Sequence, residues 1–440
     1  MSKARAILAS ALALLLAQAM LPAQEAAPSS SGRTPGYYKD LYMDGGINLT
    51  SRKRLYAAEA LGLSMEAYYS APHGENGSLS AKDTAEQAVR FAGSAIDDNG
   101  FLLYPDGSPR FRAIYINGGH AKHHGLSLTK AGVEHLRQFV AAGGNYIGTC
   151  AGAFISSLGS TQDEKPIPHY LHIYPGVVHN TWLGNAYTGM TVEKDSPLLK
   201  YTDFGGDMHI DSVRHNGGCF ASTAKGDMPA GTEVLLRYDY DDSQRPGKQR
   251  VNGEISAWAY KEGRNSGRVV VTGSHPEIKA EGENLDLFKA MILYALDGNG
   301  GPRVKGELKK GEIRFMNKRS GDHDQEYSCI GDRQYHHFTV NIPGKARNIK
   351  VILRCKKEGI DLNLTMRKGD FAFADNADYK DLGPGAGKTL SFDSLPAGVW
   401  YVGVECATTV ETVETDCGVE YTGHIEVLNG IPYSIQVTWD

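Results

Sequence analysis

The sequence predicts an α/β domain, a parallel sheet covered on both faces by helices, followed by a C-terminal antiparallel β-sandwich. Three observations carry this. Between 111 and 156 the chain reads strand, Gly-rich turn, helix, strand, turn, helix, which is the rhythm of a parallel sheet. Past a Gly-rich break at 297–302 the apolar residues alternate instead: Ile349, Val351, Leu353 and Cys355, then Trp400, Val402, Val404 and Cys406, then Tyr433, Ile435, Val437 and Trp439. At 440 residues the chain is long enough for two or three domains, each with its own core.

The first strand is expected at 40–43, ending in Asp44-Gly-Gly46. Apolar residues at helical spacing (Leu55, Ala58, Leu61) predict a helix over 55–68, and 70–80 is a polar loop. A second helix is expected at 83–95, capped by Asp83 or Thr84 with Glu86 behind it. Next come a strand at 111–116, the turn Asn117-Gly-Gly-His120, and a helix at 127–142 that stops at Gly143-Gly144. The short apolar run at 145–149 is a buried strand and feeds a new helix from Ala151. Residues 167–224 read as short strands and loops, 233–240 and 254–260 as a strand pair, 268–272 as a β-branched strand, and 284–296 as a closing helix. In such sheets sites form at the carboxyl ends of the strands, where the Gly118-Gly119 turn and the Cys150 corner both fall.

The N-terminus has the pattern of a cleaved secretory peptide: Lys3 and Arg5, an apolar run at 6–20, then small residues. That run is too short to span a membrane, no cysteine follows it to take a lipid, and no later stretch is apolar for long enough to cross. The expected division is signal peptide 1–23, linker 24–36, α/β domain 37–300, linker 301–325 and β-sandwich 326–440, in an exported, periplasmic or secreted protein. A net charge of -5 with interspersed charges argues against a nucleic-acid partner. Cys329, Cys355, Cys406 and Cys417 could pair as disulfides in that compartment, in any of three connectivities, whereas Cys150 and Cys219 stand apart.

The chemistry centres on Gly148-Thr-Cys-Ala-Gly152, built like the nucleophile elbow G-x-S-x-G. Cys150 would sit on a tight corner, with the positive end of the new helix directed at its sulfur and favouring thiolate. A thiol nucleophile needs a base and a group to orient that base. His275 and Glu277, two apart just beyond a strand, fit those roles, with Pro276 fixing the backbone between them. The backbone N–H groups of Gly119 and Ala151 are the candidate oxyanion donors. Asp44, Gly118, His120 and Asn216 are further candidates for contact with substrate. The many histidines (120, 123, 124, 169, 172, 179, 209, 215) match no ligand spacing, so neither a metal nor a cofactor is expected.

Tyr115-Ile-Asn-Gly-Gly119, Gly148-Thr-Cys-Ala-Gly152, His215-Asn-Gly-Gly218 and Gly273-Ser-His-Pro-Glu277, in this order, resemble the class I glutamine amidotransferase-like superfamily. The likeness is closest to the biotin–protein ligase N-terminal domain family and covers about 40–296. It implies a flavodoxin-like α/β sandwich and a Cys150–His275–Glu277 triad with Gly119 and Ala151 as oxyanion donors. The chain has neither a synthetase domain to receive ammonia nor the features of a biotin ligase catalytic domain, so hydrolysis of a small-molecule or peptide-like amide is the expected activity. Tyr335-His-His-Phe-Thr-Val340, Asp361-Leu-Asn-Leu-Thr365 and Leu395-Pro-Ala-Gly-Val-Trp-Tyr-Val402 resemble a bacterial pre-peptidase C-terminal domain, which implies an accessory module for an extracellular polymer or matrix. The competing class is a non-catalytic binding protein on the same scaffold, and the complete triad favours the enzyme.

Overall fold

The structure is a computed structural model and describes residues 34–45, 54–69, 90–160, 165–221, 228–297, 301–415 and 418–440. The signal-peptide reading, the 70–80 loop, most of the 83–95 helix and Cys417 lie outside these residues.

The α/β half holds strands β1 (Lys39–Gly45), β2 (Met65–Tyr69), β3 (Phe111–Ile116), β4 (Asn145–Thr149), β5 (His179–Asn180), β6 (Ala186–Val192), β7 (His209–His215), β8 (Cys219–Phe220), β9 (Glu233–Asp239), β10 (Ile255–Tyr260) and β11 (Val269–Thr272). Its helices are α1 (Tyr56–Ala60), α2 (Ala121–Ser127), α3 (Thr129–Ala141), α4 (Ala151–Ser156) and α5 (Gly282–Leu296). Strands β2-β1-β3-β4-β11 run parallel in that order. Beyond β11 the sheet continues through β10, β9, β6 and β7, all antiparallel.

Period two explains the layering. Ile114, Ile116, Tyr146 and Val271 face Leu136, Phe139, Ala153 and Ile155 of α3 and α4. Ala113, Tyr115, Ile147 and Val270 face Leu287, Phe288 and Met291 of α5 on the other side. This is the predicted α/β sandwich, with an antiparallel extension. One expectation fails at its edge. The helix expected over 55–68 ends at Ala60, where Gly62 turns with φ +65, and Met65–Tyr69 pairs with β1 as a strand. A short helix and a short strand placed end to end mimic one helical period.

The C-terminal half, a sandwich with one added hairpin, comprises β12 (Val304–Glu307), β13 (Ile313–Met316), β14 (Tyr335–Ile342), β15 (Ile349–Arg354), β16 (Leu362–Lys368), β17 (Tyr379–Asp381), β18 (Lys388–Phe392), β19 (Gly398–Cys406), the hairpin β20 (Glu411–Thr415) and β21 (Gly418–Gly423), and β22 (Tyr433–Thr438). Its two sheets are β12-β14-β19-β16-β17 and β13-β22-β15-β18. The stretch 301–325, expected as a linker, supplies an edge strand to each sheet: β12 lies on β14 and β13 on β22. Cys329, Cys355 and Cys406 are free thiols here.

The two halves are joined through buried polar groups. The β20–β21 hairpin leaves the sandwich and pairs with β2, Gly418 opposite Tyr68, so that it extends the α/β sheet. Arg110, next to β3, forms a two-pronged ion pair with Asp332 (3.0 and 3.1 Å), and both side chains are buried. Its guanidinium also donates to Tyr421 Oη at 2.8 Å and lies 3.7 Å over the Tyr38 ring. Lys305 of β12 is paired with Asp106, again with both side chains buried. Among the described residues, no helix is long and apolar enough to cross a membrane.

Candidate functional site

The strand order places the elbow. β4 lies between β3 and β11 with Thr149 opposite Thr272, so the loops after all three strands meet at one end of the sheet. Cys150 follows β4 directly and takes φ +50, ψ -103, a conformation strained for a residue with a side chain. Hydrogen bonds hold it there: the Cys150 N–H donates to Thr272 O (2.9 Å), and the Gly152 N–H to Asn117 O (3.1 Å). Tyr146 Oη donates to Gly152 O at 2.7 Å, fixing the first turn of α4 onto the strand before it. Cys150 is 5% exposed.

The residues after β11 bring the histidine across. His275 stands at the head of a short 3-10 turn, Pro276–Ile278, and its own N–H donates to Arg214 O at 2.9 Å. Its Nδ1 lies 2.9 Å from Glu277 Oε1, and its ring is a neighbour of the Cys150 side chain across Gly118. Burial alone would depress the imidazole. The Glu277 carboxylate, with the bonds to Cys150 and Glu277, outweighs burial and raises His275 to about 10. The ring is therefore pushed toward its charged form. Glu277 is buried, 2% exposed.

Gly118 is required by close approach. A Cβ there would lie 2.2 Å from His275 Cε1 and 3.2 Å from Cys150 Cβ, so only a residue without a side chain lets the imidazole reach the thiol. Gly119, at φ +146, is exposed beside it, and the Ala151 N–H opens α4 next to the sulfur. His120 is exposed on the same rim, stacked on His123 with ring centroids 3.8 Å apart. Asn216 is exposed one residue beyond β7.

Asp44 does not open onto this rim. It is fully buried at the end of β1, with Oδ2 2.8 Å from Nε2 of an equally buried His124. Helix α2 carries His124 into that position, so the buried pair braces the sheet end. His215 belongs to a sequence motif that suggests no role for it, and the structure gives it one. Its Nε2 is 3.0 Å from Thr188 Oγ1, and burial, with the neighbouring His275 charge, lowers it to about 3. Cys219 is also buried close to the site, and burial, with the Cys150 charge, pushes its thiol well up. Among the described residues, no group of three or more His, Cys, Asp or Glu is placed to hold a metal.

The strand order and this corner make an α/β domain with a cysteine elbow at one end of its parallel strands. Residues 108–291 match the family described as "Biotin-protein ligase, N terminal", and this stretch contains all four motifs that carry that resemblance. Among solved structures the chain is similar to a glutamine amidotransferase (18% identity, TM-score 0.28, covering 42% of this chain and 80% of that one). It is also similar to the glutaminase domain of CTPS from Trypanosoma brucei (13% identity, TM-score 0.29, 58% and 94% covered). A third similarity is to the pre-peptidase C-terminal domain of a collagenase from Bacillus anthracis (14% identity, TM-score 0.20, 32% and 100% covered). No curated protein matches the chain.

Proposed function

We propose that the protein is an exported, cysteine-dependent amidohydrolase or peptidase-like hydrolase, periplasmic or secreted, acting through Cys150, His275 and Glu277. One observation carries this reading. A strained Cys150 sits beside an imidazole that a buried carboxylate 2.9 Å away favours in its charged form, and an imidazolium beside sulfur stabilises an attacking thiolate.

In the proposed reaction the Cys150 sulfur attacks the amide carbonyl. Charge that develops on the carbonyl oxygen is received by the N–H groups of Gly119 and Ala151. As the tetrahedral species collapses, the C–N bond breaks, His275 gives its proton to the leaving amine, and a thioester remains on Cys150. Water then adds to the thioester while His275 takes a proton from it. The acid departs, and the thiolate–imidazolium pair is restored. Glu277 keeps Nδ1 protonated and the ring oriented throughout. Water is the acceptor, so no second domain has to receive ammonia. The sandwich would act as the accessory module, holding the enzyme near an extracellular polymer.

The test is hydrolysis of a panel of simple amides, peptides and γ-glutamyl amides by the wild type and by Cys150→Ala. The expected result is turnover of at least one class that Cys150→Ala abolishes. A thiol-specific probe that labels Cys150 no faster than free cysteine at neutral pH would overturn the reading.

A further inference from the structure

The loop between β5 and β6 holds a tryptophan in an uncommon conformation. Trp182 has φ +57, and three residues later Asn185 has φ +46. Asparagine adopts this region at small cost, but a bulky tryptophan there is an outlier that its surroundings must enforce. The enforcement is visible. The Trp182 N–H donates to Asn180 Oδ1 (2.8 Å), the Thr181 N–H to Gly218 O (3.0 Å) and Thr181 Oγ1 to Gly217 O (2.8 Å). The Gly217 N–H donates to Leu183 O (2.5 Å), and Arg245 Nη2 to Thr181 O (2.8 Å).

These bonds tie the loop to the Gly217-Gly218 turn, and that turn is seated on the histidine's own segment. Gly218, at φ +95, would place a Cβ 2.0 Å from Gly273 O, two residues before His275. Just ahead of the turn, Arg214 O accepts the His275 N–H. The tryptophan loop and the imidazole therefore belong to one continuous braced piece. Within it Leu183 is buried at 2% exposure, while the left-handed residue beside it turns its indole outward, 56% exposed.

From this juxtaposition we propose that Trp182 is a substrate-positioning platform at the mouth of the Cys150 site, taking an aromatic ring that flanks the scissile amide. The inference rests on Cys150 being the nucleophile and adds a substrate class to that reading. An indole face offers offset stacking to another ring. It would also attract a cation, but Arg245, bonded to the same loop, places a positive charge nearby, which favours a neutral ring over a cation.

The experiment compares alkylation of Cys150 by iodoacetamide and by N-benzyliodoacetamide in the full chain, read by peptide mass spectrometry and normalised to free cysteine. The wild type is expected to favour the benzyl reagent roughly fivefold to tenfold. Trp182→Ala is expected to lose that preference and Trp182→Phe to keep most of it, with the iodoacetamide rate unchanged within about twofold in both. An undiminished preference in Trp182→Ala, or no preference in the wild type, overturns the platform and leaves the nucleophile standing. If Cys150 reacts with neither reagent, the hydrolase reading falls and the platform falls with it.

Discussion

His275 Nδ1 and Glu277 Oε1 lie 2.9 Å apart across Pro276, within one short 3-10 turn. The carboxylate is buried, so little water screens its charge from the ring. Glu277→Gln removes the charge and leaves a group of similar shape. His275, at about 10 in the intact site, should then fall by roughly 1 to 3 units. The sign for stability follows. A histidine raised on folding contributes fully below its unfolded value near 6.5, and that contribution is lost as pH rises toward about 10. NMR titration of the His275 ring, with denaturant unfolding at pH 7 and pH 9.5, measures both effects. An unmoved titration in the variant would show that Glu277 does not set the charge.

Gly118→Ala addresses the same ring from the other side. The added methyl would fall 2.2 Å from His275 Cε1, so the imidazole must shift away from the thiol. The rate of Cys150 alkylation at pH 7 is expected to drop by about tenfold or more. Circular dichroism should show the fold retained, because the closest clash is with the end of a side chain and not with backbone.

Arg110 and Asp332 test how tightly the halves depend on each other. Both are buried, and removing one partner strands the other's charge. Arg110→Ala is expected to cost about 3–5 kcal/mol of unfolding free energy, whereas replacing both residues with apolar ones of similar size should cost much less. Denaturant titrations of the single and double variants separate the two outcomes.

His215 should make the protein sensitive to acid. Burial, with the charge of His275, lowers it to about 3, so it is neutral when folded and takes up a proton on unfolding below about 6.5. The stability linked to it is present above that pH and is lost as pH falls toward about 3, at about 1.4 kcal/mol per pH unit. His215→Asn should flatten the acid limb of a stability–pH curve by about that slope, and an unchanged slope would refute the assignment.

Motifs anchored on glycine are the most legible part of the sequence, because a tight corner and a close approach admit few residue types. The elbow at Cys150, the Gly118 turn and the His275-Pro-Glu277 segment are all readable there, and the structure brings their residues together. Strand alternation leads one to expect His275 beside Glu277, but a 3-10 turn produces the pairing. Long periodic elements such as α3, α5, β19 and β22 are also clear, since each buries one repeating face. What stays hidden depends on distant partners. β2 merges into a helical pattern because its register is supplied by β1. β12 and β13 look like linker because their pairing strands lie much further along the chain. The burial of Asp44 depends on His124 arriving from α2, and the left-handed Trp182 has no local sequence signal at all.

The β20–β21 hairpin has a consequence for how this protein could be cut or rearranged. By pairing with β2 it occupies what would otherwise be the open margin of the α/β sheet. The margin it presents in turn, β20, carries exposed Glu411 and Glu414, charges that discourage another chain from adding on. A chain truncated before the sandwich would therefore gain a bare strand as well as lose the sandwich, and that strand is an invitation to self-association. In recombination or engineering the two architectures should travel as a single inherited piece.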